Sequence, residues 1–510
     1  MKIVLSNLKN NKSADHHGLT YELFKPGMVA DDLFKSLLIL SNEVKSQQNV
    51  SDFLNVTDIT SFYKNKGDRK CLENDRGIFG VSKVRSIIDR LAYNDYYKIV
   101  DENMTDSNVG ARVNRSINDN LFVVYAIQNE ALKKNKCVDL HFMDLSKCLD
   151  VMWNEETIND FFDVGVHDDK FILLSKMNEE CKVFVKTPVG VTDQFILKNI
   201  EMQGTVPAPL KCAAQMDGLG WECYTEKKFL YNYKRSCFIP NLGMIDDTFL
   251  ASSCGVQSVQ LNALINTLIE GKKLYFNQTK CYVMHLGPNS EECPKLMVHN
   301  LPMKKETKEK YLGDIVTNSG NNPNIENRRK IGFKAISDIL PMLKEVGFTS
   351  FYIKCGLIFR DAVLKRKLLL NSEVWHGLTV NQVNKLEDID KTFLRIILNS
   401  HGKVGTECLF FEVGKMPLKY EIILRRLMYL WKILHVDKSE LIFRVYQSQL
   451  NSSHPGDWLR LVAKDKQTIG LDLNDEEITA MYKGRFKNKV KSKVTNYALS
   501  ELNAAKEKHS

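Results

Sequence analysis

The sequence contains no Cys-x-x-Cys pair, although it has twelve cysteines. The cysteines are scattered, and no histidine lies near them at the spacing of a zinc ligand set. Neither a zinc module nor a disulfide framework is therefore indicated, and we predict reduced, mostly buried thiols. Internal repeats and low-complexity tracts are absent as well.

Long apolar runs are also missing. No stretch approaches the ~18 apolar residues of a membrane span, and the first ten residues (MKIVLSNLKN) lack the apolar core of a signal peptide. We therefore expect a protein that is nuclear or cytoplasmic, is not secreted and has no membrane partner.

The excess of positive charge is small. The chain has 71 basic and 62 acidic residues, which gives a net charge of +9. This balance suits a polyanionic partner, but many unrelated proteins share it, so charge alone decides nothing. With 510 residues, of which 44% are hydrophobic and 26% charged, the chain is long enough for about two to four globular units.

The most informative feature is the adjacent acid pair Asp246 and Asp247. An apolar run at 248–251 follows the pair, and the pattern predicts a turn between two strands of a hairpin. About a hundred positions upstream, alternating apolar residues at 138–142 predict a half-buried strand that ends near Asp144. Three acids in this arrangement match the constellation that holds two hard divalent cations in nucleotide polymerisation.

An Asp-Asp pair by itself is weak evidence, because the chain has two others. Asp31 and Asp32 predict the start of a helix, whereas Asp168 and Asp169 predict a loop. The pair at 246–247 differs from these, because it precedes an apolar run and follows, about a hundred positions downstream, the predicted strand that ends near Asp144.

The hydrophobic pattern divides the chain into a mixed part and a helical part. From residue 11 to about 320, strand-like runs alternate with amphipathic helical stretches, for instance the apolar stripe between 261 and 269. Residues 272–276 are predicted as a returning strand after that helix. Beyond residue 321 the pattern is mainly helical, with one long apolar face at 423–434.

A basic tail at 483–493 (KGRFKNKVKSK) has Lys or Arg at every second position. Such a run contacts phosphates, serves as a nuclear address or is a solvated surface, and the sequence leaves these alternatives open. The apolar helix face after residue 400 leaves open another kind of function, that of an assembly scaffold.

A series of short motifs then occurs in a fixed order along some 300 residues. They are 64–69 (KNKGDR), 74–78 (NDRGI), 110–116 (GARVNRS), 144–150 (DLSKCLD), 203–210 (QGTVPAPL), the acid pair at 246–247, 277–281 (NQTKC) and 310–313 (KYLG). In this order they resemble the motifs of the reverse transcriptases of non-LTR (LINE-type) retrotransposons, over roughly residues 11 to 320.

The resemblance implies an α+β fold of the right-hand polymerase type. Residues 1–320 would form fingers and a palm with a ferredoxin-like sheet backed by helices. Residues 321–400 would form a helical thumb, and 401–510 a helical C-terminal region with the basic tail. The implied activity is RNA-directed DNA polymerisation, in which a DNA primer is extended on an RNA template with dNTPs.

The resemblance also assigns metal-binding and catalytic roles. Asp144, Asp246 and Asp247, with Leu145 in the same ligand set, would hold two Mg²⁺ ions, for which Mn²⁺ can substitute. One ion would activate the primer 3′ hydroxyl and the other would neutralise the triphosphate. Lys280 would approach the leaving pyrophosphate as a proton donor or charge stabiliser. A solvated lysine at a strand end is the alternative reading of Lys280.

Further residues are assigned to the substrates. Arg76, Lys64 and Lys66 would clamp the triphosphate. For Arg76, a structural ion pair with Asp75 or Asp68 is the alternative. The remaining assignments are Gln203 and Gly204 beside the nascent base pair, Leu149 beneath the incoming sugar, and a primer grip formed by Tyr311, Leu312 and Gly313.

Several positions depart from the pattern of the relatives. Leu149 stands where relatives carry an aromatic residue against the sugar 2′ position, which predicts weaker exclusion of ribonucleotides. The other departures are Met244, Ala208, Ala111 and the segment 12–18 (KSADHHG). They support an alternative function, that of a catalytically inactive reverse-transcriptase-like nucleic-acid-binding protein or a decayed retrotransposon open reading frame.

Overall fold

Two five-stranded sheets, three two-stranded sheets and a long helical region make up the described part of the computed structural model of the chain. The structure describes residues 1–25, 31–48, 50–65, 67–197, 201–253, 255–288, 295–347, 350–400 and 404–509. The strands are β1 (Val56–Tyr63), β2 (Asp75–Val81), β3 (Val138–Asp144), β4 (Cys181–Thr187), β5 (Gly190–Val191), β6 (Phe195–Leu197), β7 (Asn232–Tyr233), β8 (Cys237–Phe238), β9 (Leu242–Met244), β10 (Asp247–Ser253), β11 (Tyr282–Leu286), β12 (Met297–Val298), β13 (Leu301–Pro302), β14 (Lys304–Lys305), β15 (Lys308–Tyr311) and β16 (Asp314–Thr317).

Helices lie between these strands and follow them. Those before residue 320 are α1 (Lys2–Ser6), α2 (Asp31–Gln47), α3 (Lys83–Asn103), α4 (Ile117–Lys134), α5 (Cys148–Val151), α6 (Asn154–Asp163), α7 (Asp168–Asn178), α8 (Ala208–Thr225) and α9 (Val256–Gly271). The later ones are α10 (Asn322–Val346), α11 (Ser350–Phe359), α12 (Lys365–Leu368), α13 (Val380–Ile397), α14 (Thr406–Glu412), α15 (Leu418–His435), α16 (Leu441–Asn451), α17 (Trp458–Thr468), α18 (Asp475–Thr479) and α19 (Lys483–His509). The mixed α/β class predicted from the sequence is confirmed.

The central sheet has the strand order β14-β11-β3-β10-β9, and β3 pairs antiparallel with both β10 and β11. The strand predicted at 138–142 is confirmed, but it is buried on both faces rather than half-buried. Its polar residues can be buried because they have partners. His141 Nε2 lies 3.2 Å from Ser252 Oγ and 3.2 Å from Ser258 Oγ, and Asp139 Oδ1 lies 3.0 Å from His285 Nδ1.

The strand predicted at 272–276 is wrong. The returning strand is β11, which begins six residues after the end of the predicted strand. α9 continues to Gly271, and Leu274 and Phe276 then enter the apolar core beside it. Phe276 makes only an isolated bridge to Leu145. The helix itself is confirmed.

A second sheet has the order β2-β1-β4-β5, with β6 also paired to β4. β1 and β2 form an antiparallel pair, and β1 runs parallel to β4. Of the two other acid pairs, Asp31 begins α2 as predicted. The loop predicted at Asp168 and Asp169 is wrong, because both acids lie in the first turn of α7, where carboxylates favour the positive end of the helix dipole.

The described residues after β16 form helices and no strands. The long apolar face predicted at 423–434 lies on α15, whose buried residues belong to the largest apolar core of the protein. That core also contains residues of α4, β3 and β10, so the helical region packs directly behind the central sheet. None of the described helices is long and apolar enough to cross a membrane.

Candidate active site

Strand register brings two of the predicted catalytic acids together. Asp144 is the last residue of β3, Asp247 is the first residue of β10, and the two are directly opposite each other in the antiparallel pair. Residues opposed in this way have Cβ atoms about 4.5–5.5 Å apart. Asp246 lies in the turn that immediately precedes β10. The predicted hairpin is therefore confirmed, and its turn lies beside Asp144.

The turn between β9 and β10 has an unusual backbone. Ile245 adopts a φ of +61°, a left-handed conformation that is an outlier for a β-branched residue. The buried Asn108 side chain holds the turn: its Nδ2 donates to Ile245 O at 3.3 Å, and its Oδ1 accepts from Ile245 N at 3.3 Å. Asn120 Nδ2 adds a hydrogen bond to Gly243 O at 2.9 Å. Two asparagines thus position the acid pair from outside the hairpin.

Gly243 allows Asn108 to approach the hairpin, because a Cβ at this glycine would lie 2.8 Å from Asn108 Nδ2. Sequence reasoning missed Asn108. A signal was present, since Asn108 lies two residues before Gly110, the first residue of a recognised motif, and a Cβ at Gly110 would lie 2.5 Å from Ile245 N.

Lys280 reaches the acids from the loop before β11. Its Nζ donates to Asp144 Oδ2 at 2.9 Å, while about half of the lysine side chain (51%) stays exposed. This hydrogen bond is the main reason that the pKa of Lys280 is raised, and the charges of Asp144, Asp246 and Asp247 add to the rise. Lys280 is therefore a protonated partner of the acid cluster and not a lysine that contacts only solvent.

Burial and mutual repulsion change the acidity of the acid pair. Burial first, and then the charges of Asp246 and Asp144, raise the pKa of Asp247 to about 6, while Lys280 opposes the rise. The pKa of Asp246 is also raised, mainly by burial and then by the charge of Asp144, with Lys280 and Arg76 opposing. Both acids of the pair therefore hold a proton more strongly than an exposed carboxyl does.

Mg²⁺ fits the donor set in its chemistry. Carboxylate oxygens are the ligands that Mg²⁺ prefers, and a divalent cation would relieve the repulsion that raises the pKa of Asp246 and Asp247. Among the described residues, no three Asp, Glu, His or Cys side chains already stand as a complete ligand group, and Asp144 is engaged by Lys280 instead. The carboxylates would have to reorient to bind a metal. The Leu145 side chain is buried, so Leu145 could contribute only its main chain.

A cavity of about 250 Å³ opens beside the acids. Its lining includes Asp144, Asp247 and Lys280, and also Tyr311 and Leu312 from the hairpin of β15 and β16. Predicted catalytic residues and predicted primer-grip residues therefore border the same cavity.

The predicted primer grip is a tight hairpin. Leu312 and Gly313 form the turn between β15 and β16 with φ values of +46° and +91°, as in the type I′ turns that favour glycine. Tyr311 is buried and packs against Phe142 and Phe249, with ring centroids 5.6 Å away in each case. Burial also raises the pKa of its phenol. The tyrosine ring thus anchors the hairpin to the central sheet, and the turn is its more exposed part.

Asp314, the residue after this turn, was also missed by sequence reasoning. It is fully buried, accepts from Tyr125 Oη at 2.7 Å and from Trp375 Nε1 at 2.8 Å, and forms an ion pair with Arg328. Tyr125 lies on α4, Trp375 follows α12, and Arg328 lies on α10. The hairpin is therefore tied to the helical region through one carboxylate.

The three predicted triphosphate ligands have different outcomes. Arg76 is exposed on β2 and opposes the rise in the pKa of Asp246, so the second sheet faces the acid pair. In the described part of the chain, Arg76 makes no ion pair with Asp75 or Asp68. Lys64 Nζ donates to Glu73 O at 3.1 Å at the connection between β1 and β2. Lys66 lies outside the described residues.

The loop with Gln203 and Gly204 lies against β2. Gln203 O accepts from Phe79 N at 3.1 Å. Gly204 has a φ of +117°, and a Cβ there would lie 2.9 Å from Phe79 O, so this close approach requires glycine. Gln203 Nε2 also donates to Asp150 Oδ1 at 2.8 Å. The loop therefore links β2 to the segment that follows Asp144.

Leu149 lies in α5 and is half-buried against the apolar cluster that contains Met143 and Leu145. It is thus partly a core residue. Contact of its exposed part with an incoming sugar stays a prediction.

No protein-family model matches the chain, and no curated protein matches it. The chain is similar to solved telomerase structures. With the apo telomerase of Candida tropicalis truncated from its C-terminal domain, it shares 14% identity over 56% of this chain and 58% of that one, with a TM-score of 0.37. It therefore spans less than two thirds of that telomerase.

Two further structures are similar over more of the chain. The telomerase of Candida albicans in complex with the TWJ fragment of telomeric RNA shares 11% identity over 88% of this chain and 71% of that one, with a TM-score of 0.43. The apo telomerase of Candida tropicalis shares 11% identity over 85% and 74%, with a TM-score of 0.40. At these identities and scores the similarity does not identify the family, and the resemblance to non-LTR reverse transcriptases stays a prediction.

Proposed function

We propose that the chain is an RNA-directed DNA polymerase, related to non-LTR reverse transcriptases, that extends a DNA primer on an RNA template with dNTPs. The observation that carries the proposal is the meeting of Asp144, Asp247 and Lys280 at the ends of β3 and β10. Asp246 is coupled electrostatically to the same cluster. Three carboxylates and a protonated lysine are the residue types that metal-dependent nucleotidyl transfer uses.

In this proposal, Asp144, Asp246 and Asp247 are the oxygen donors for two Mg²⁺ ions. The ions, when bound, supply charge neutralisation and a more acidic primer 3′ hydroxyl. The 3′ hydroxyl loses its proton to water as its oxygen attacks the α-phosphorus of the dNTP, and the bond between the α-phosphorus and the bridging oxygen breaks. Lys280 Nζ, held protonated beside Asp144, gives its proton to the departing pyrophosphate.

The substrates are held by the elements around the acids. Arg76 on β2 and Lys64 on the adjacent connection face the triphosphate, and Lys66 is assigned to the same clamp. The close-packed loop at Gly204 lies beside the nascent base pair. The turn of β15 and β16 supports the primer end. Residues 1–320 act as fingers and palm, 321–400 as thumb and 401–510 as a C-terminal helical region, and the protein works in the nucleus or the cytoplasm.

Primer extension with the purified chain tests the proposal. The assay supplies a DNA primer annealed to an RNA template, dNTPs and Mg²⁺ or Mn²⁺. We expect extension by the unchanged protein and a loss of at least about 100-fold for Asp246→Asn, because the turn loses a metal-binding charge without a core cavity. Asp32→Asn is the matched control, since this acid is fully exposed at a helix start (95%). Equal extension by both variants would show that the acid pair is only a turn.

A second candidate is a nucleic-acid-binding protein without catalysis. It is favoured by the pairing of Asp144 with Lys280 and by the lack, within the described ranges, of a complete metal-ligand group. Under this alternative, the purified chain binds an RNA-DNA hybrid in a salt-dependent way. It gives no extension in either metal.

A further inference from the structure

The basic tail forms the first part of α19, and all six of its cations are exposed. We call the three of them that recur at four-residue spacing from the start of the helix the basic face: Lys483, Lys487 and Lys491. In a helix, residues four apart are neighbours about 6 Å apart along the axis. The basic face is therefore one row of three cations, whereas Arg485, Lys489 and Lys493 form a second row about 200° around the helix, on its other flank.

The basic face has a fixed orientation, because the adjoining stripe of α19 is buried. Phe486, Val490 and Val494 recur at four-residue spacing and are fully buried in the largest apolar core, against α15. The alternation seen in the sequence is therefore neither a strand nor an unstructured tail. It is a charged surface held on a rigid scaffold.

The charge of this face is uncompensated. Residues 478–500 contain no acid, and none of the six cations pairs with a carboxylate among the residues that the structure describes. Other cations nearby are already neutralised: Lys432 Nζ lies 2.6 Å from Asp119 Oδ2, and Arg115 Nη2 lies 2.5 Å from Glu440 Oε1. Basic residues that serve the fold have acidic partners here, whereas the basic face does not.

A cleft of about 670 Å³ adjoins the basic face, and Lys483 and Lys487 line it. Trp431 and His435 of α15 line the same cleft, with ring centroids 3.8 Å apart and an angle of 23° between the planes. Trp431 is fixed because its Nε1 donates to Met481 O at 2.8 Å. The His435 side of this stack is exposed. The cleft thus offers a flat aromatic surface, the exposed side of His435, beside a row of cations without acidic partners, the first of which, Lys483, has its Nζ 5.9 Å from the Trp431 ring centroid.

We propose that the basic face and this cleft bind a single-stranded segment of nucleic acid, at a site separate from the polymerase site. Cations 6 Å apart match a chain of phosphates, and aromatic faces beside a cationic groove stack unpaired bases without regard to sequence. The cleft shares no lining residue with the cavity beside Asp144. The site therefore does not depend on polymerase activity.

Binding of a fluorescent single-stranded 40-nucleotide RNA to the full chain, measured by anisotropy over a series of KCl concentrations, tests the proposal. The test variant is Lys483→Glu/Lys487→Glu/Lys491→Glu. The matched control is Lys98→Glu/Lys170→Glu/Lys464→Glu, which makes the same change in net charge at exposed helical lysines elsewhere. We expect the test variant alone to bind more weakly and to lower the slope of log affinity against log salt by about 2.

His435→Ala tests the stacking part of the site. Because stacking releases no counterions, this variant is expected to weaken binding at least about fivefold with an unchanged salt slope. A single-stranded DNA and a fully double-stranded RNA serve as further probes. Both single strands are expected to respond to the variants in the same way, and the duplex is expected to be insensitive to His435→Ala.

Equal affinities and salt slopes for the test variant, the control variant and the unchanged protein would overturn the proposal. Unchanged RNA binding with loss of binding to a nuclear-import receptor would also overturn it, and would identify the basic face as a nuclear address. If the charge-reversed variant fails to fold by circular dichroism, the same comparison is made with Gln at 483, 487 and 491, which removes the charges without reversing them.

Discussion

Asn108 makes three hydrogen bonds in the segment that supports the acid pair. Its Oδ1 accepts from Gly110 N at 2.8 Å, and its side chain bonds both the N and the O of Ile245 at 3.3 Å. We predict that Asn108→Ala lowers the free energy of unfolding by about 2–3 kcal/mol, because buried main-chain groups lose their partners. Primer extension should fall as well, since Ile245 at φ +61° is no longer held.

Urea denaturation and primer extension measure this prediction. Asn103→Ala is the matched control, because this exposed side chain bonds only its own helix, at Ile99 O. The interpretation of Asn108 as the support of the turn would be wrong if the two variants had the same stability and activity.

Leu149 tests the sugar-contact prediction at the same scale. A pocket that differs by a small apolar group discriminates by only about 1–3 kcal/mol, so a polymerase with leucine here should select weakly against rNTPs. Leu149→Phe is expected to increase the preference for dNTPs by about 10-fold or more. Single-nucleotide incorporation kinetics with both sugars measure it. Equal discrimination by the two proteins would leave Leu149 only its packing role against the cluster around Met143.

At the scale of elements, the hairpin of β15 and β16 is held to the helical region by Asp314. We predict that Asp314→Asn lowers the free energy of unfolding by about 3–5 kcal/mol, because the buried Arg328 guanidinium loses its counter-charge. Amide hydrogen exchange should accelerate first at 308–317. Asp338→Asn on the exposed side of α10 is the control and should change neither the free energy of unfolding nor the exchange. Unchanged exchange in the Asp314 variant would show that the turn and Tyr311 hold the hairpin without it.

At the scale of the whole molecule, two buried histidines make stability depend on pH. Burial lowers the pKa of His141 to about 4 and that of His376 to about 4. In the unfolded chain histidine titrates near pH 6.5, so both groups favour folding fully above that pH. Their contribution is lost as the pH falls from about 6.5 to about 4, by roughly 3 kcal/mol for each histidine.

Urea denaturation at pH 7.5 and pH 5 measures this loss. The variant His141→Gln/His376→Gln is expected to lose much less stability between the two pH values than the unchanged protein. His17→Gln, at an exposed histidine, is the control and should keep the full pH dependence. The same pH dependence in the double variant and the unchanged protein would mean that other groups cause it.

Much of the fold was predictable because local patterns report local structure. The apolar stripe of α9, the apolar face of α15 and the strand that ends at Asp144 all follow from periodicity. Errors arose where tertiary packing overrode the local pattern. Residues 272–276 have strand-like alternation, but Leu274 and Phe276 are used to fill the core beside α9, and strand pairing passes to β11.

The sequence by itself determined which acids are candidates, their order along the chain and the turn that carries Asp246. Only the tertiary structure decided that Asp247 lies opposite Asp144, that Lys280 engages Asp144, and that Asn108 and Asp314 support the site. It also decided that the basic tail is helical and that one row of its exposed cations adjoins an aromatic cleft. The physical reason is range. Periodicity and turn chemistry act between residues a few positions apart, whereas these contacts join distant segments whose meeting depends on strand register and side-chain packing.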